Sequence, residues 1–440
     1  MIHSKHSSSS FCILPFVQQF VDTDNHMLPC CIGDRNDIGP EYKDVTSFNN
    51  KYLKTIRKEM LHNQKPKACS ACWTTEASGK NSKRIKVNKQ FEDWTYEVDD
   101  NGTVVTMPQY YDLRPGNVCN LKCVMCNPRV SSKWIEDNHL AIEPYEKTVK
   151  FSNKQIDEIL SNASMIKRLQ LAGGEPFYMP SVKRLLQGLV DSGNSKHIDL
   201  QITTNLTILD NNILQLLEHF KKNVITISVD GLEGVGEYIR YPLNWDTFET
   251  NLNTLLQQKH IRIAVNITKS KLNAEHIDAI LDWCFKKGLT DVDINTLTEP
   301  SILAVGSPQD KLIDWLTALD KHRGTNSKLT LPWIYKMRTK EEILTEINKI
   351  MDEQIQPNVA QHGGEVKVLD FDMETGTLKT LLSGSCSGCS SSMITLKMGI
   401  ENMLKHYIPE VTQVVGEDDP NFNDPYHTMP MDDYDPMDRM

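Results

Sequence analysis

The chain has no apolar run long enough to cross a bilayer, and its longest candidate, FCILPFVQQFV, is interrupted by Pro15, Gln18 and Gln19. That stretch also lacks a cationic flank and a small-residue cleavage pattern, so a secretory signal is not expected and a cytoplasmic protein is. Positive charge is not in excess either. The net charge is -10, but residues 417–440 hold eight acids against Arg439 alone, which leaves 50 acids facing 47 bases in the body. A nearly neutral body shows no footprint of strong nucleic-acid binding, and the acidic tail, with its prolines and methionines, is expected to be disordered. Aromatics make up 7% of a chain of 440 residues, a globular composition too long for one core and suited to two or three domains. No internal repeat is present.

What is plentiful is cysteine, eleven in all. Ten fall in tight groups: Cys12 with Cys30 and Cys31; Cys69 with Cys72; Cys119, Cys123 and Cys126; Cys386 with Cys389. Close pairs in a large intracellular chain bind metal or do redox chemistry rather than staple loops. Cys284 stands alone in IDAILDWCFKKG and reads as a buried apolar thiol.

From about residue 106 to 298, strand-like runs (QYYDLRP, RLQLAGG, HIDLQITTN, VITISVDG, IRIAVNITK, DVDINTL) alternate with amphipathic helical stretches. Six βα units imply an α/β domain, either a partial (β/α)6 TIM-like barrel or an open wound sheet, with chemistry at the carboxyl ends of its strands. The polar residues of interest sit at those ends: the cysteine loop, then Glu175, Asn205 and Asp230. Residues 1–105 are punctuated by Pro, Gly and Asn and show little periodicity, so a metal centre is expected to supply what their core lacks. A helical connector is expected over 299–338, a small α/β unit over 339–416, and the tail over 417–440.

The C-x3-C-x2-C spacing of Cys119, Cys123 and Cys126 is the strongest single signal. Three thiolates on one loop hold three corners of a 4Fe-4S cluster and leave one iron open; structural zinc usually wants four protein ligands in two pairs. With GGEP (Gly173, Gly174, Glu175, Pro176), TTN (Thr203, Thr204, Asn205) and SVDG (Ser228 to Gly231, including Asp230) in register at the following strand ends, the region resembles the radical S-adenosylmethionine (radical SAM) superfamily. Taken singly, GGEP also reads as a glycine turn before a helix and Asp230-Gly231 as a tight turn. The resemblance implies a 4Fe-4S cluster on the three cysteines. It also implies S-adenosylmethionine held by Gly173, Gly174, Glu175, Pro176, Thr204, Asn205, Ser228 and Asp230, with Arg240 as partner of its carboxylate. The activity implied is reductive cleavage of S-adenosylmethionine to a 5'-deoxyadenosyl radical, with electrons from a donor such as flavodoxin or ferredoxin.

Cys12, Cys30, Cys31, Cys69 and Cys72 resemble the SPASM or twitch modules that hold an auxiliary iron-sulfur cluster, although such modules commonly follow the barrel. Five candidates exceed the four ligands one cluster needs, and a zinc ribbon built from Cys30/Cys31 and Cys69/Cys72 is the rival. Lys80, Lys83, Arg84, Lys86 and Lys89 follow in GKNSKRIKVNK, and read as a solvated face or as a guide for an anionic substrate. PNVAQHGGEVKV with SCSGCSSSMITLKMGIENML resembles the NifU C-terminal domain, an iron-sulfur carrier with Cys386 and Cys389 as ligands; a thioredoxin-type pair is the rival reading. Two thiolates do not complete a cluster, so the resemblance implies a homodimer through this domain. Fusion of a carrier to a radical enzyme points to reloading of a cluster in place, as expected if sulfur is inserted into the substrate. A non-catalytic assembly or transfer protein is the alternative. The substrate, whether peptide, RNA or small molecule, is not legible.

Overall fold

The computed structural model describes residues 2–3, 8–35, 48–209, 211–306, 310–335, 340–361, 363–373, 375–384, 390–408 and 410–418. Cys386, Cys389 and nearly all of the expected acidic tail lie outside the described residues. The chain folds into two compact units, Met1–Thr296 with Ala318–Thr330, and Leu297–Thr317 with Leu331–Met440. Among the described residues no helix is long and apolar enough to cross a membrane.

Thirteen strands are described: β1 (Ile2–His3), β2 (Gln18–Val21), β3 (Met27–Leu28), β4 (Val98–Asp99), β5 (Tyr110–Leu113), β6 (Arg168–Leu171), β7 (Asp199–Thr204), β8 (Lys222–Ser228), β9 (Ile261–Lys269), β10 (Val292–Thr296), β11 (Gly364–Asp372), β12 (Thr377–Gly384) and β13 (Gln413–Asp418). The main sheet of the first unit runs β10-β9-β8-β7-β6-β5-β2-β3, parallel from β10 through β2, with β3 turning back antiparallel. Strands β5 to β10 are the six expected from the alternating pattern.

Buried parallel strands are usually apolar throughout, but here they alternate. Leu169, Leu171, Leu200, Ile202, Ile225 and Ile227 enter one core with Leu185, Leu186, Phe248 and Ile280 of the crossover helices, and Cys284 lies in the same core. The opposite face carries Arg168, Gln170, Gln201 and Thr226, linked by Arg168 Nη2 to Gln201 Oε1 at 2.9 Å and Gln201 Nε2 to Thr226 Oγ1 at 3.3 Å. That face of the sheet is therefore polar. Helix starts follow the local chemistry, as where Ser152 and Gln155 form a reciprocal cap on Asn153–Ser161.

Residues 8–105 depart from expectation. They bury an apolar core of their own, including Leu14, Phe16, Val17, Met27, Leu28, Leu53, Met60 and Tyr96. Part of this core comes from pieces too short to show a period, Leu14–Val17 and Met27–Leu28 among them, and part from one helix, Lys51–Leu61, that buries Leu53, Ile56 and Met60 at helical spacing. Arg57, fully buried, joins the pieces: Nε donates to Pro15 O at 2.6 Å, Nη1 to Asn49 Oδ1 at 2.9 Å and Gly102 O at 3.2 Å, and Nη2 to Phe48 O at 2.7 Å. Replacing Arg57 with Met strands those carbonyls, each at a cost of roughly 1–3 kcal/mol. Denaturant unfolding of the full chain is expected to show a loss of about 3 kcal/mol or more.

In the second unit, helix Lys340–Ile350 and the segment to Ala360 pack with helix Ser390–Tyr407 on a β11-β12-β13 sheet. Ile343, Ile347, Phe371, Leu378, Leu404 and Val414 fill that core. The described strand β13 takes up Glu417 and Asp418, the first residues of the expected tail.

Candidate functional site

The cysteine loop leaves the carboxyl end of β5. Its two ends are fastened by Asn117, which is fully buried. Its Nδ2 donates to Pro128 O and Lys147 O, both at 2.8 Å, and its Oδ1 accepts from Val149 N at 2.8 Å. Gly116 makes the crossing possible, since at φ +128° a side chain there would sit 2.0 Å from Val149 O. Inside the loop, Trp134 Nε1 donates to Cys123 O at 2.9 Å and Ser131 Oγ to Leu121 O at 2.5 Å. Lys122 N and Val124 N donate to Tyr241 O and Ile239 O, both at 2.7 Å. The backbone on either side of Cys123 is thus fixed at Leu121 O, Lys122 N, Cys123 O and Val124 N.

The thiols themselves differ. Cys126 donates to Cys123, and with the Arg240 charge nearby this draws the Cys123 pKa down, while Cys126 is driven up in exchange. Burial pushes the Cys119 thiol up to about 12. Such thiols ionise fully only when a metal takes the proton's place.

The facing wall is the GGEP turn after β6. Gly173 and Gly174 adopt φ +78° and +50°, and a side chain on Gly174 would lie 2.3 Å from Val118 O. Glu175, buried, is consumed by the wall itself: Oε1 accepts from Thr204 Oγ1 at 2.7 Å and Phe177 N at 3.0 Å, and Oε2 from Asn205 N at 2.6 Å. Burial raises its pKa, and the bonds from Asn205, Thr204 and Phe177 oppose that rise. Asn205 then reaches the cysteine loop, donating from Nδ2 to Asn120 Oδ1 at 3.0 Å. Asn120 closes the link by donating to Thr207 Oγ1 at 2.8 Å.

Between the walls lies a cavity of about 420 Å³ lined by Cys119, Cys123, Cys126, Gly173, Gly174, Glu175, Thr203, Thr204, Asn205, Ser228 and Arg240. Two expected residues stand outside the lining. Asp230, wholly buried, ion-pairs with Arg240 and accepts from Thr268 N at 2.7 Å, so it holds the cation that faces the cavity. Pro176, also buried, starts the turn Pro176–Tyr178.

The family model for the radical SAM superfamily matches residues 113–284, and that for the NifU-like domain matches residues 347–415. The chain carries a radical SAM domain and a NifU-like domain. The NifU-like protein of Schizosaccharomyces pombe is 44% identical over 84 residues, 19% of this chain and 32% of that protein. The mitochondrial NifU-like protein of Saccharomyces cerevisiae is 40% identical over 93 residues, 21% of this chain and 36% of that protein. The chain thus spans about a third of the length of these curated relatives. Among solved structures, "Native anSMEcpe with bound AdoMet" is similar at a TM-score of 0.35 and 17% identity, covering 48% of this chain and 61% of that one. SuiB of Streptococcus suis bound to its precursor peptide is similar at 0.35 and 13%, covering 64% of each chain.

The radical SAM domain's cavity fits an open-iron cluster by its donor set: three thiols line it, with no fourth cysteine and no histidine. Arg240 in its lining offers a cation to a carboxylate. Gly174→Ala forces a clash at a left-handed position. It is expected to cost more than ~2 kcal/mol and to weaken S-adenosylmethionine binding at least tenfold by calorimetry.

A second pocket, of about 370 Å³, lies ahead of the radical SAM domain and is lined by Cys12, Cys30, Cys69, Cys72, Lys83 and Arg84 with Leu14, Pro15, Pro29 and Ile32. Cys12 precedes helix Leu14–Val17, Cys30 follows β3, and Cys69 and Cys72 sit at the start of helix Ser70–Ala77. Burial raises the Cys12 and Cys69 thiols and pushes Cys30 up to about 12. Cys31 is exposed and outside the lining, 2.7 Å from Lys83 Nζ.

The basic run divides accordingly. Lys83 and Arg84 face the thiols, while Lys80, Lys86 and Lys89 are exposed. Arg84 is fixed by Glu76 at 2.7 Å and Phe11 O at 2.8 Å and lies over the Trp73 ring. Asp22, Asp24 and His26 also cluster, in the turn after β2. Arg35 sits 3.4 Å from Asp22 and Arg129 2.8 Å from Asp24, so the group is a charge-balanced brace.

Proposed function

We propose that the chain is an enzyme that cleaves S-adenosylmethionine reductively at a 4Fe-4S cluster held by Cys119, Cys123 and Cys126, and uses the product to modify a substrate. The observation that carries this is a cavity with three thiols on one wall, no fourth protein ligand, and Arg240 among its other lining residues. What a cluster and S-adenosylmethionine supply there, when bound, is one-electron cleavage of a carbon-sulfur bond, leaving methionine and a 5'-deoxyadenosyl radical that takes hydrogen from the substrate.

The chain's own residues orient and shield. Arg240, held by Asp230, places a positive charge for the methionine carboxylate. Gly173 and Gly174 let the backbone approach the ligand without a side chain in the way. The Glu175 carboxylate fixes the Thr204-Asn205 wall, and Asn205 ties that wall to the cysteine loop through Asn120. Leu121 lines the cavity beside the thiols, and Trp134, buried, bonds Cys123 O; their bulk keeps water from the thiol side.

In the same reading, Cys12, Cys30, Cys69 and Cys72 hold an auxiliary iron-sulfur cluster. The NifU-like domain, through Cys386 and Cys389 and a transient homodimer, reloads a cluster during turnover, and a small electron carrier such as a flavodoxin or ferredoxin supplies the electrons. Support for reloading is the fusion itself, and sulfur insertion is the reaction class that would need it. The test of the cavity is spectroscopic: in anaerobically reconstituted, reduced protein, adding S-adenosylmethionine is expected to change the electron paramagnetic resonance signal of one cluster. Arg240→Ala is expected to weaken that response at least tenfold in ligand concentration, and an unaltered wild-type signal at saturating ligand counts against the proposal. Reloading is tested by the Cys386→Ala, Cys389→Ala pair, which is expected to hold the enzyme to about one turnover; undiminished multiple turnover removes this role.

A further inference from the structure

The segment Ala318–Thr330 lies beyond the radical SAM match and in sequence reads as part of a connector, yet it packs within the barrel unit. Its contacts converge on the cysteine loop. Asp320 Oδ1 accepts from Tyr238 Oη at 2.9 Å, and Asp320 Oδ2 ties its own turn through Ser327 N at 2.7 Å and Oγ at 2.5 Å. His322 Nε2 lies 2.7 Å from Asp137 Oδ1, and Asp137 is ion-paired to Lys122, the residue before Cys123. Arg323 Nη2 donates to Lys122 O at 2.6 Å, and its guanidinium lies over the rings of Tyr241 at 4.6 Å and Trp134 at 5.3 Å.

Arg323 is not fully served by these contacts. Its Nε and Nη1 are buried without a hydrogen-bond partner. Burial lowers its pKa, and a thiolate at Cys123 acts against that. A cation so placed costs free energy beside an uncharged loop, whereas beside ligating thiolates it is stabilised and in turn favours added negative charge nearby.

We infer that Arg323 is a positioning residue of the cluster site: it fixes the Lys122–Cys123 backbone and raises the reduction potential of the cluster held there. This rests on the function proposed above. No atom of Arg323 enters the cavity lining; it acts through the loop and through its charge.

The experiment is a redox titration of the S-adenosylmethionine-responsive signal in full-length reconstituted wild type, R323K and R323Q, with thermal unfolding of each. R323Q is expected to lower the equilibrium constant for one-electron reduction about tenfold, a shift of ~59 mV to more negative potential, and R323K to stay near wild type. A role confined to packing would lower the unfolding temperature of R323Q and leave the potential of its loaded fraction unchanged, which would overturn the inference. Should R323Q retain no cluster, R323K decides, because a wild-type potential supports the charge argument and a tenfold shift contradicts it. A wild-type signal that ignores S-adenosylmethionine removes the function and this inference together, whereas a responsive wild type with an unshifted R323Q removes the inference alone.

Discussion

Replacing Cys119, Cys123 and Cys126 together with alanine is expected to reduce S-adenosylmethionine-dependent formation of 5'-deoxyadenosine at least ~1,000-fold, while iron at the N-terminal thiols remains. The expected size follows from the loss of an entire cofactor site rather than one contact. The loop should survive the change. Asn117 and the bonds from Trp134, Ser131, Lys122 and Val124 hold its backbone without the sulfurs, so the variant is expected to unfold within about 1 kcal/mol of the metal-free wild type. Iron content and product formation, measured on the same preparation, check both halves. Retained product formation would mean that the cavity between the loop and GGEP is not where S-adenosylmethionine reacts.

The second large effect concerns the N-terminal thiols. Cys72→Ala is expected to abolish the auxiliary centre, lowering bound iron by about four atoms per chain, because Cys12, Cys30, Cys69 and Cys72 share one pocket and a cluster with three remaining ligands there is labile. Cys31→Ala is expected to leave iron content and cluster absorption as in the wild type, since Cys31 is exposed and is not among the residues that line that pocket. The comparison is sharp because Cys30 and Cys31 are neighbours in sequence. Equal losses from the two variants would show that Cys31 is a ligand. Zinc in place of iron after anaerobic purification from iron-replete cells, with tetrahedral sulfur scattering by X-ray absorption, would favour the zinc-ribbon reading.

How much of this was legible depended on distance along the chain. The six strands and the motifs at their ends are local signals, and GGEP and TTN could be placed on one cavity wall from order alone. Asn117 and Asn120 could not. Each bonds to residues tens of positions away, Asn120 to Asn205 and Thr207, and a lone Asn in a loop is indistinguishable from turn chemistry. Asp230 was legible as important, but sequence shows only that an Asp ends a strand, not that it ion-pairs with Arg240 while Arg240 lines the cavity. The choice among five N-terminal cysteines was equally closed to sequence, since which of Cys30 and Cys31 turns inward depends on how the chain leaves β3. The N-terminal core was hidden for a different reason: it joins helix Lys51–Leu61, with Leu53 and Met60, to short pieces such as Leu14–Val17 and Met27–Leu28 that are far away in sequence. Arg323 sat in what composition marks as a linker.

The most direct test of the central claim is chemical. Reconstituted full-length protein, reduced under anaerobic conditions with S-adenosylmethionine present, is expected to release 5'-deoxyadenosine and methionine in equal amounts, detected by mass spectrometry. If a fully loaded protein, with its three-cysteine cluster confirmed by spectroscopy, released neither product above the level seen without reductant, the chain would be a cluster-binding protein and not a radical enzyme.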